Sequence, residues 1–481
     1  MAAIAAPALP TLTYAVKQLE AASWRIRNFA ESLATYNVVN MRRMPLDELL
    51  GVQEPVGDRS SQEIEHSIVE GEIAKTVMSA KALTQPLRPV VVDFVWQNKA
   101  TTDFQPLRRA ARVYNHLCGS EIFEDKAKLA LLLKKSSAPE NALRSFAFKS
   151  VTLFARWCRC TAGSWGSRLW VAKIPLGNSG SGVWILGPRN WEKVVDAVIS
   201  SVSGSGGGTI DVGVVTDVAP SKYAVVVQEY VARPLLWHGR KLQFRVYAVI
   251  TGDLSCWIYR HGMLQFCNKP YEPSDVDDGI VDGDHSFYDD EVHITNVCRN
   301  VANAELFVKE KPCDLVARYP HAFRSMKASL ADLVTQAIPF LSYQRSEHHF
   351  EFIGVDFIVD TTTGHAHLIE CNCPPNNTGS DAVGTIEDFH QDLCNDLLRA
   401  FVLTPVLLRR RCMREQHADQ EDECGLWEEV RRPAEVGTER FVPTRDPSML
   451  ARNGVAWAVY AAKAGRQCAA EIQEEILASV N

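Results

Sequence analysis

The sequence predicts a mixed α+β fold whose strands pair antiparallel, and three stretches carry that expectation. Residues 350–360 alternate into a strand, TTTG has turn chemistry, and residues 365–372 read as the returning strand of a β-hairpin. Residues 242–251 and 254–260 alternate on either side of a Gly-Asp turn and make a second antiparallel pair. Before and after them lie helices with core-facing spacing: Leu129, Leu132 and Leu133 following Asp125, and an amphipathic run over 386–402 that closes the domain.

The totals bound what this fold can be. At 481 residues there is room for two or three domains, and 46% hydrophobic with 23% charged residues can bury a large core. A net charge of −7 argues against a general nucleic-acid binder. Thirteen cysteines, odd in number and irregularly spaced, read as reduced intracellular thiols. The CxC pairs Cys158/Cys160 and Cys371/Cys373 lack the CxxC partners of a zinc site. No apolar run approaches the ~20 residues of a membrane helix, so a soluble, cytoplasmic protein without a membrane partner is expected. The Ala-rich opening lacks both an Arg-rich amphipathic pattern and a signal-peptide core, and reads as a frayed terminus running into a helix.

In chain order, residues 1–86 carry no chemistry and are expected to be mostly helical, with helices around 14–36 and up to Leu83 and an acidic polar loop at 53–65. Residues 87–168 begin with a short buried strand, RPVVVDFVW, and include the helix opened by Asp125, on which Lys126 and Lys128 read as a solvated face. Residues 169–403 hold most of the patterned chain. RLWVAKIPLGNSGSGVWIL reads as strand, glycine-rich loop, strand. Lys173 ends the first strand, and Gly177, Gly180 and Gly182 let backbone approach a phosphate while the ammonium neutralises it. It is not a Walker loop, since GK[ST] is absent, and a flexible hairpin with an exposed lysine has the same sequence. A low-complexity loop at 202–208 separates this piece from a buried strand at 223–228 that runs into the hinge QEYVARP. Lys241, Gln243, Arg245 and Tyr247 share one face of the next strand, where Arg245 is either a sheet-surface ion pair or an oxyanion binder. An acidic loop at 275–290 precedes HITN, and residues 404–481 turn charged and end in an Ala-rich stretch, a linker and helical extension.

The first hairpin carries a register test. Asp356 lies opposite Glu370 only if the turn centres on Thr363, which demands an odd loop of three or five residues with Gly364 at positive φ. Asn372, two residues past Glu370, then falls on the same face. Two carboxylates and an amide oxygen suit Mg²⁺, which prefers oxygen ligands and completes its shell with water and phosphates. The other reading is a solvated hairpin face carrying stray acids.

VDFVW, YNHLCGS with DKAKL, AK before the glycine loop, QEYVARPLL, GRK and FR, YRHG, HITN, GVDF and IECN occur here in one order. Over residues 88–402 this series resembles the tubulin tyrosine ligase-like family of ATP-grasp ligases. The resemblance implies an ATP-grasp fold, antiparallel sheets flanking an ATP cleft, with a smaller α/β domain before it. It implies ATP and Mg²⁺ as cofactors and an amide bond made between a protein carboxylate and the amine of a free amino acid. The carboxylate attacks the γ-phosphate to give an acylphosphate and ADP, and the incoming amine then displaces phosphate from the acyl carbon. Lys173, Gly180, Ser181 and Gly182 would clamp the triphosphate. Gln228, Glu229, Tyr230 and Val231 would hold adenine, and Lys241 and Gln243 would lie beside ribose and phosphate. Thr295 and Asn296 would line the same cavity, and Asp356, Glu370 and Asn372 would bind Mg²⁺. Lys173, Arg245 and Glu370 are the catalytic candidates, and Arg245, Gln265 and His293 the substrate contacts.

Three positions depart from the family pattern. Gln243 stands where Asp is usual, Gln265 where a loop Arg is thought to hold a substrate carboxylate, and Ser181 where Arg is common. A neutral Gln holds a carboxylate more weakly than a bidentate Arg by about 1–3 kcal/mol. Three readings of function follow. One is a working ligase acting on tubulin or another protein with an acidic or exposed C-terminal tail, in a cytoskeletal setting. The second is a catalytically weakened ATP-binding pseudoenzyme that serves as a tubulin or other protein-binding module. The third is an ATP-grasp ligase for a small peptide or metabolite, which leaves HITN and YNHLCGS unexplained.

Overall fold

The computed structural model describes residues 11–16, 40–43, 92–96, 111–135, 142–177, 182–203, 221–272, 288–295, 312–341, 349–373, 375, 384–403 and 426–431. Strands β1 (Thr11–Val16), β2 (Asn40–Arg43), β3 (Val92–Trp96) and β4 (Ala111–Tyr114) form a sheet in the order β2-β1-β3-β4, with every pairing parallel. This corrects the helical expectation for the first 86 residues at Tyr14, which lies in a strand opposite Phe94. The remainder of the expected helix over 14–36, the loop at 53–65 and the helix to Leu83 lie outside the described residues apart from Tyr14–Val16.

After α1 (Glu121–Glu124), Asp125 caps α2 (Lys126–Leu133) by accepting from the amides of Ala127 and Lys128, as its place before the apolar run implied. A second sheet holds β5 (Ser145–Phe148), β6 (Trp170–Lys173), β7 (Val183–Leu186) and β8 (Val225–Glu229), antiparallel in the order β5-β8-β6-β7. Helices α3 (Val151–Thr161) and α4 (Trp191–Ser203) cover it through a cluster including Phe154, Cys158, Val194 and Val198.

The third and largest sheet has eight strands: β9 (Leu236–Trp237), β10 (Arg240–Thr251), β11 (Cys256–Tyr259), β12 (His261–Phe266), β13 (Pro312–Asp314), β14 (Phe350–Val359), β15 (Ala366–Asn372) and β16 (Trp427–Arg431). Its helices are α5 (Asp290–His293), α6 (Leu315–Arg318), α7 (Pro320–Ala337) and α8 (Gly384–Leu398). Both faces are covered, and the alternation of side chains sorts them. Leu242, Phe244, Val246, Ile353, Val355 and Phe357 pack with α2 and α7, while Tyr247, Val249, Phe350 and Phe352 pack with α8 and with Phe94 and Val113 of the parallel sheet. Each such apolar side chain contributes on the order of 1.5–3 kcal/mol by leaving water. On the second face the apolar pattern stops partway along β10 and β14. Beyond Tyr247 toward the start of β10 come Arg245, Gln243 and Lys241, and beyond Phe352 comes Asp356. The polar end of that face is where the site forms.

Two expectations about this sheet are corrected. The turn of the β14–β15 hairpin is even, not odd: Val359 pairs with Ala366, Gly364 N–H donates to the Asp360 carbonyl, and Gly364 takes φ +74°. The register shifts between Asp356 and Phe357, where Ile369 is the extra residue, and this bulge restores Asp356 opposite Glu370 and Gly354 opposite Asn372. Residues 427–431, inside the stretch expected to be linker and helix, form β16 on the far side of β11. The Ala-rich terminal stretch lies outside the described residues. Among the described residues no helix is long and apolar enough to cross a membrane.

Candidate active site

One rung of the large sheet sets Met263, Arg245, Asp356 and Glu370 side by side across β12, β10, β14 and β15. Arg245 grips Asp356 in a fork, Nε to one carboxylate oxygen and an Nη to the other at 2.9 Å. Burial pulls the Arg245 guanidinium down, and Asp356 more than reverses it, so its pKa lies above the ordinary value. Burial pushes the Asp356 carboxyl up, Arg245 draws it down, and Glu370 adds to the rise. The Asn372 side chain is half-buried, and its Nδ2 is buried with no hydrogen-bond partner among the described residues.

Lys173, at the end of β6, brings the second sheet to this rung. Its Nζ donates to Gln228 Oε1 at 2.7 Å and to the Ile369 carbonyl at 3.3 Å. Burial lowers it to about 8, against the pull of Glu370 and with a further push from Lys126. The bulge therefore has a second effect, since the carbonyl it frees at Ile369 accepts from Lys173. Lys126 belongs here too, although its sequence context read as a solvated face. It is 6% exposed, donates to the Gly177 carbonyl at 2.6 Å and lies 3.6 Å from Glu370. Gly182 holds φ +69°, and a Cβ there would sit 2.7 Å from Ile174 Cγ1, so the chain re-entering β7 requires glycine.

Between α2 and the second sheet lies a small cavity of about 10 Å³, apolar at Leu129, Leu133 and Val226 and polar at Lys126, Lys173 and Gln228. Lys173 reaches across to Gln228, and the space left open is far below the ~300–1,000 Å³ of ordinary ligand pockets. Of the hinge residues only Gln228 lines it. Glu229 turns outward to Arg168 at 3.4 Å, and Tyr230 and Val231 are buried in the core.

The next rung is neutral. Gln265 pairs with Gln243 across β12 and β10, so it occupies a strand rather than the loop expected of it. Gln243 Nε2 donates to Gln265 Oε1 at 3.1 Å, and the Thr295 hydroxyl donates to Gln243 Oε1. One pleat further, Lys241 Nζ donates to the His293 carbonyl at 2.9 Å and stands 4.0 Å over the Tyr230 ring. Burial lowers Lys241 to about 8. His293, expected to meet substrate, is 4% exposed, boxed by Tyr230, Tyr271 and Tyr288, and shares a hydrogen bond with the Tyr230 hydroxyl at 2.9 Å. Burial and Lys241 hold it down at about 3. Arg318 stacks 3.9 Å over Trp237. Gly180, Ser181 and Asn296 lie outside the described residues.

Residues 156–411 match the model of the family described as the tubulin-tyrosine ligase family. The chain belongs to that family. The match starts later than the 88–402 span of the sequence motifs, and Lys126 precedes it. Among tubulin-tyrosine ligase family relatives, a probable tubulin–tyrosine ligase of Saccharomyces cerevisiae is 26% identical over 40% of this chain and 26% of its own length. A probable tubulin polyglutamylase of Mus musculus is 27% identical over 35% of this chain and 36% of its own, and one of Caenorhabditis elegans is 26% identical over 46% and 48%. The chain thus spans from about a quarter to about half the length of these relatives.

Proposed function

We propose that this chain is an ATP- and Mg²⁺-dependent ligase on an ATP-grasp fold, joining an amino acid to a carboxylate of a protein tail, tubulin's or a similar acidic one, through an acylphosphate. The observation that carries the reading is the charged rung, where Arg245, Asp356 and Glu370 stand in register with Lys173 and Lys126 beside them. The donor set fits the groups required. Asp356, Glu370 and Asn372 on one face offer hard oxygen ligands, and the orphaned Asn372 N–H is one that a phosphate oxygen would satisfy.

Bound ATP with Mg²⁺ would supply the transferable phosphoryl group. The residues of this chain then do three things. Lys126, Lys173 and Arg245 neutralise anionic oxygens in a site where water is scarce, so each charge counts for more than at the surface. Asp356 holds the Arg245 fork in a fixed direction. Leu129, Leu133 and Val226 form the apolar wall that an adenine ring would lie against.

Relatives named tubulin polyglutamylases make tubulin the first acceptor and glutamate the first donor to test, in the cytoplasm and on the cytoskeleton. The protein is incubated with tubulin, ATP, Mg²⁺ and all twenty amino acids, and the tails are read by intact mass. A mass gain of one or more amino-acid residues that requires ATP and Mg²⁺ is expected. Unchanged tails with no Mg²⁺-dependent ATP turnover would end the ligase reading.

A further inference from the structure

The β14–β15 hairpin carries one residue more than its facing requires. Phe357, Ile358 and Val359 pair with Leu368, His367 and Ala366 in one register, and Gly354, Val355 and Asp356 pair with Asn372, Cys371 and Glu370 in the next. If Ile369 were removed, the two registers would join into one unbroken ladder. Leu368, Cys371 and Cys373 would stay with the core, and Glu370 and Asn372 would stay on the site face, alternating at every step. The acids therefore meet without the bulge. What the extra residue adds lies in the site: Ile369 lines the small cavity beside α2, and its carbonyl, released from the ladder, accepts from Lys173 Nζ at 3.3 Å.

Lys173 has two acceptors, and they constrain it differently. Gln228 Oε1, at 2.7 Å, stands on β8 of the same sheet, so it orients the ammonium only within that sheet. The Ile369 carbonyl belongs to the large sheet and directly precedes Glu370 in the chain, so it fixes the ammonium relative to the carboxylates. Glu370 attracts Lys173 while Lys126, 3.6 Å from Glu370, repels it, and among the described residues Lys173 bonds the neutral carbonyl and not the carboxylate. An ammonium closed onto Glu370 would leave neither charge available to a phosphate or a cation.

We propose that Ile369 is a positioning residue, whose bulged carbonyl holds the Lys173 ammonium beside Glu370 without letting the two charges pair, so that both face one phosphate chain. The role rests on the ligase reading, in which Lys173 meets the triphosphate and Glu370 the Mg²⁺.

Two measurements on the full chain test it. In the ligand-free protein, limiting acetylation by an N-hydroxysuccinimide ester is read peptide by peptide by mass. Deletion of Ile369 should raise the labelling of Lys173 about fivefold or more and leave the exposed Lys193 and Lys222 unchanged. In the second, a non-hydrolysable ATP analogue is titrated with Mg²⁺ by calorimetry. The deletion should weaken it about tenfold or more, and should change affinity less than about twofold when made in Lys173→Met, because the carbonyl acts through the lysine. Ile369→Val keeps the bulge and its carbonyl and should bind within about twofold of wild type. Ile369→Gly keeps the carbonyl on a looser backbone, should show about a threefold change in both measurements that likewise vanishes in Lys173→Met, and carries the test if the deleted chain does not fold.

The proposal is overturned by Lys173 labelling that ignores both the deletion and Ile369→Gly, or by an affinity loss that persists in Lys173→Met. It is also overturned by an Ile369→Val variant as weak as the deletion, which would assign the effect to the side chain. Labelling that follows Ile369 in a wild type that binds no analogue counts against the ligase reading alone, and analogue binding indifferent to Ile369 counts against the positioning role alone.

Discussion

The rung through Arg245, Asp356 and Glu370 and the rung through Gln243 and Gln265 are one pleat apart on the same sheet face, yet they are held by different forces. In the first, Arg245 and Asp356 are buried charges that constrain each other, so that removing either leaves the other unpaired. In the second, neutral amides and a hydroxyl are joined by bonds of modest net worth, about 1 kcal/mol each. The charged rung is therefore costly to alter and suited to a fixed step of chemistry, whereas the neutral rung can change residue and with it the ligand it meets.

The largest test of that contrast is Glu370→Gln, which removes a charge facing Lys126 without changing shape. Turnover is expected to fall on the order of a thousandfold, with the urea unfolding midpoint unchanged. Wild-type product formation by this variant would place the chemistry elsewhere. Arg245→Ala attacks the same rung through stability, since Asp356 would stay buried without its partner. A loss of about 3–5 kcal/mol by denaturant unfolding is expected, and a loss under about 1 kcal/mol would show that the fork is incidental.

Lys241 lies one pleat beyond the neutral rung and gives a pH signature with opposite signs. Its folded pKa of about 8 lies below the ~10.4 of an unfolded lysine, so between those values the unfolded chain binds more protons and the ligand-free protein gains stability as pH rises. Over the same window the ammonium discharges, and affinity for a nucleotide analogue should fall by up to about tenfold between pH 7 and 9. Lys241→Arg should weaken both trends, with the remainder carried by Lys173, which is also lowered to about 8, and a wild-type protein whose affinity holds to pH 9 would remove Lys241 from the phosphate environment. The smallest effect is structural: Gly364→Ala, at φ +74°, should cost about 1 kcal/mol at the turn that sets the hairpin register, measured by thermal unfolding.

Much of this site was legible because its carriers are periodic. The alternation of β14 and the spacing from Glu370 to Asn372 put Asp356, Glu370 and Asn372 on one face from sequence alone. The bulge at Ile369 was not legible, since an extra strand residue leaves no compositional trace, and the odd loop inferred for the same facing was wrong. Lys126 was hidden for another reason. Its burial comes from Gly177 and Glu370, distant in sequence, while its neighbours Asp125 and Lys128 look like an ordinary solvated helix start. The position of Gln265 changes what its substitution means. Read as a loop residue, Gln265→Arg should tighten the donor. Opposite Gln243, an arginine has no oxygen for the Gln243 N–H, and turning Gln243 over would take its carbonyl oxygen away from the Thr295 hydroxyl.

The strand at the far side of the large sheet has a practical side. Trp427 is 4% exposed and lies against Tyr259 and Phe401, and the backbone of β16 occupies the hydrogen-bonding edge of β11. A version of the chain trimmed at residue 411, where the family match stops, would uncover that edge together with the aromatic patch beneath it. An open strand containing Ile258 and Tyr259 is a template for another copy of itself, so such a shortened protein is expected to aggregate as its concentration rises, even with every residue of the charged rung in place.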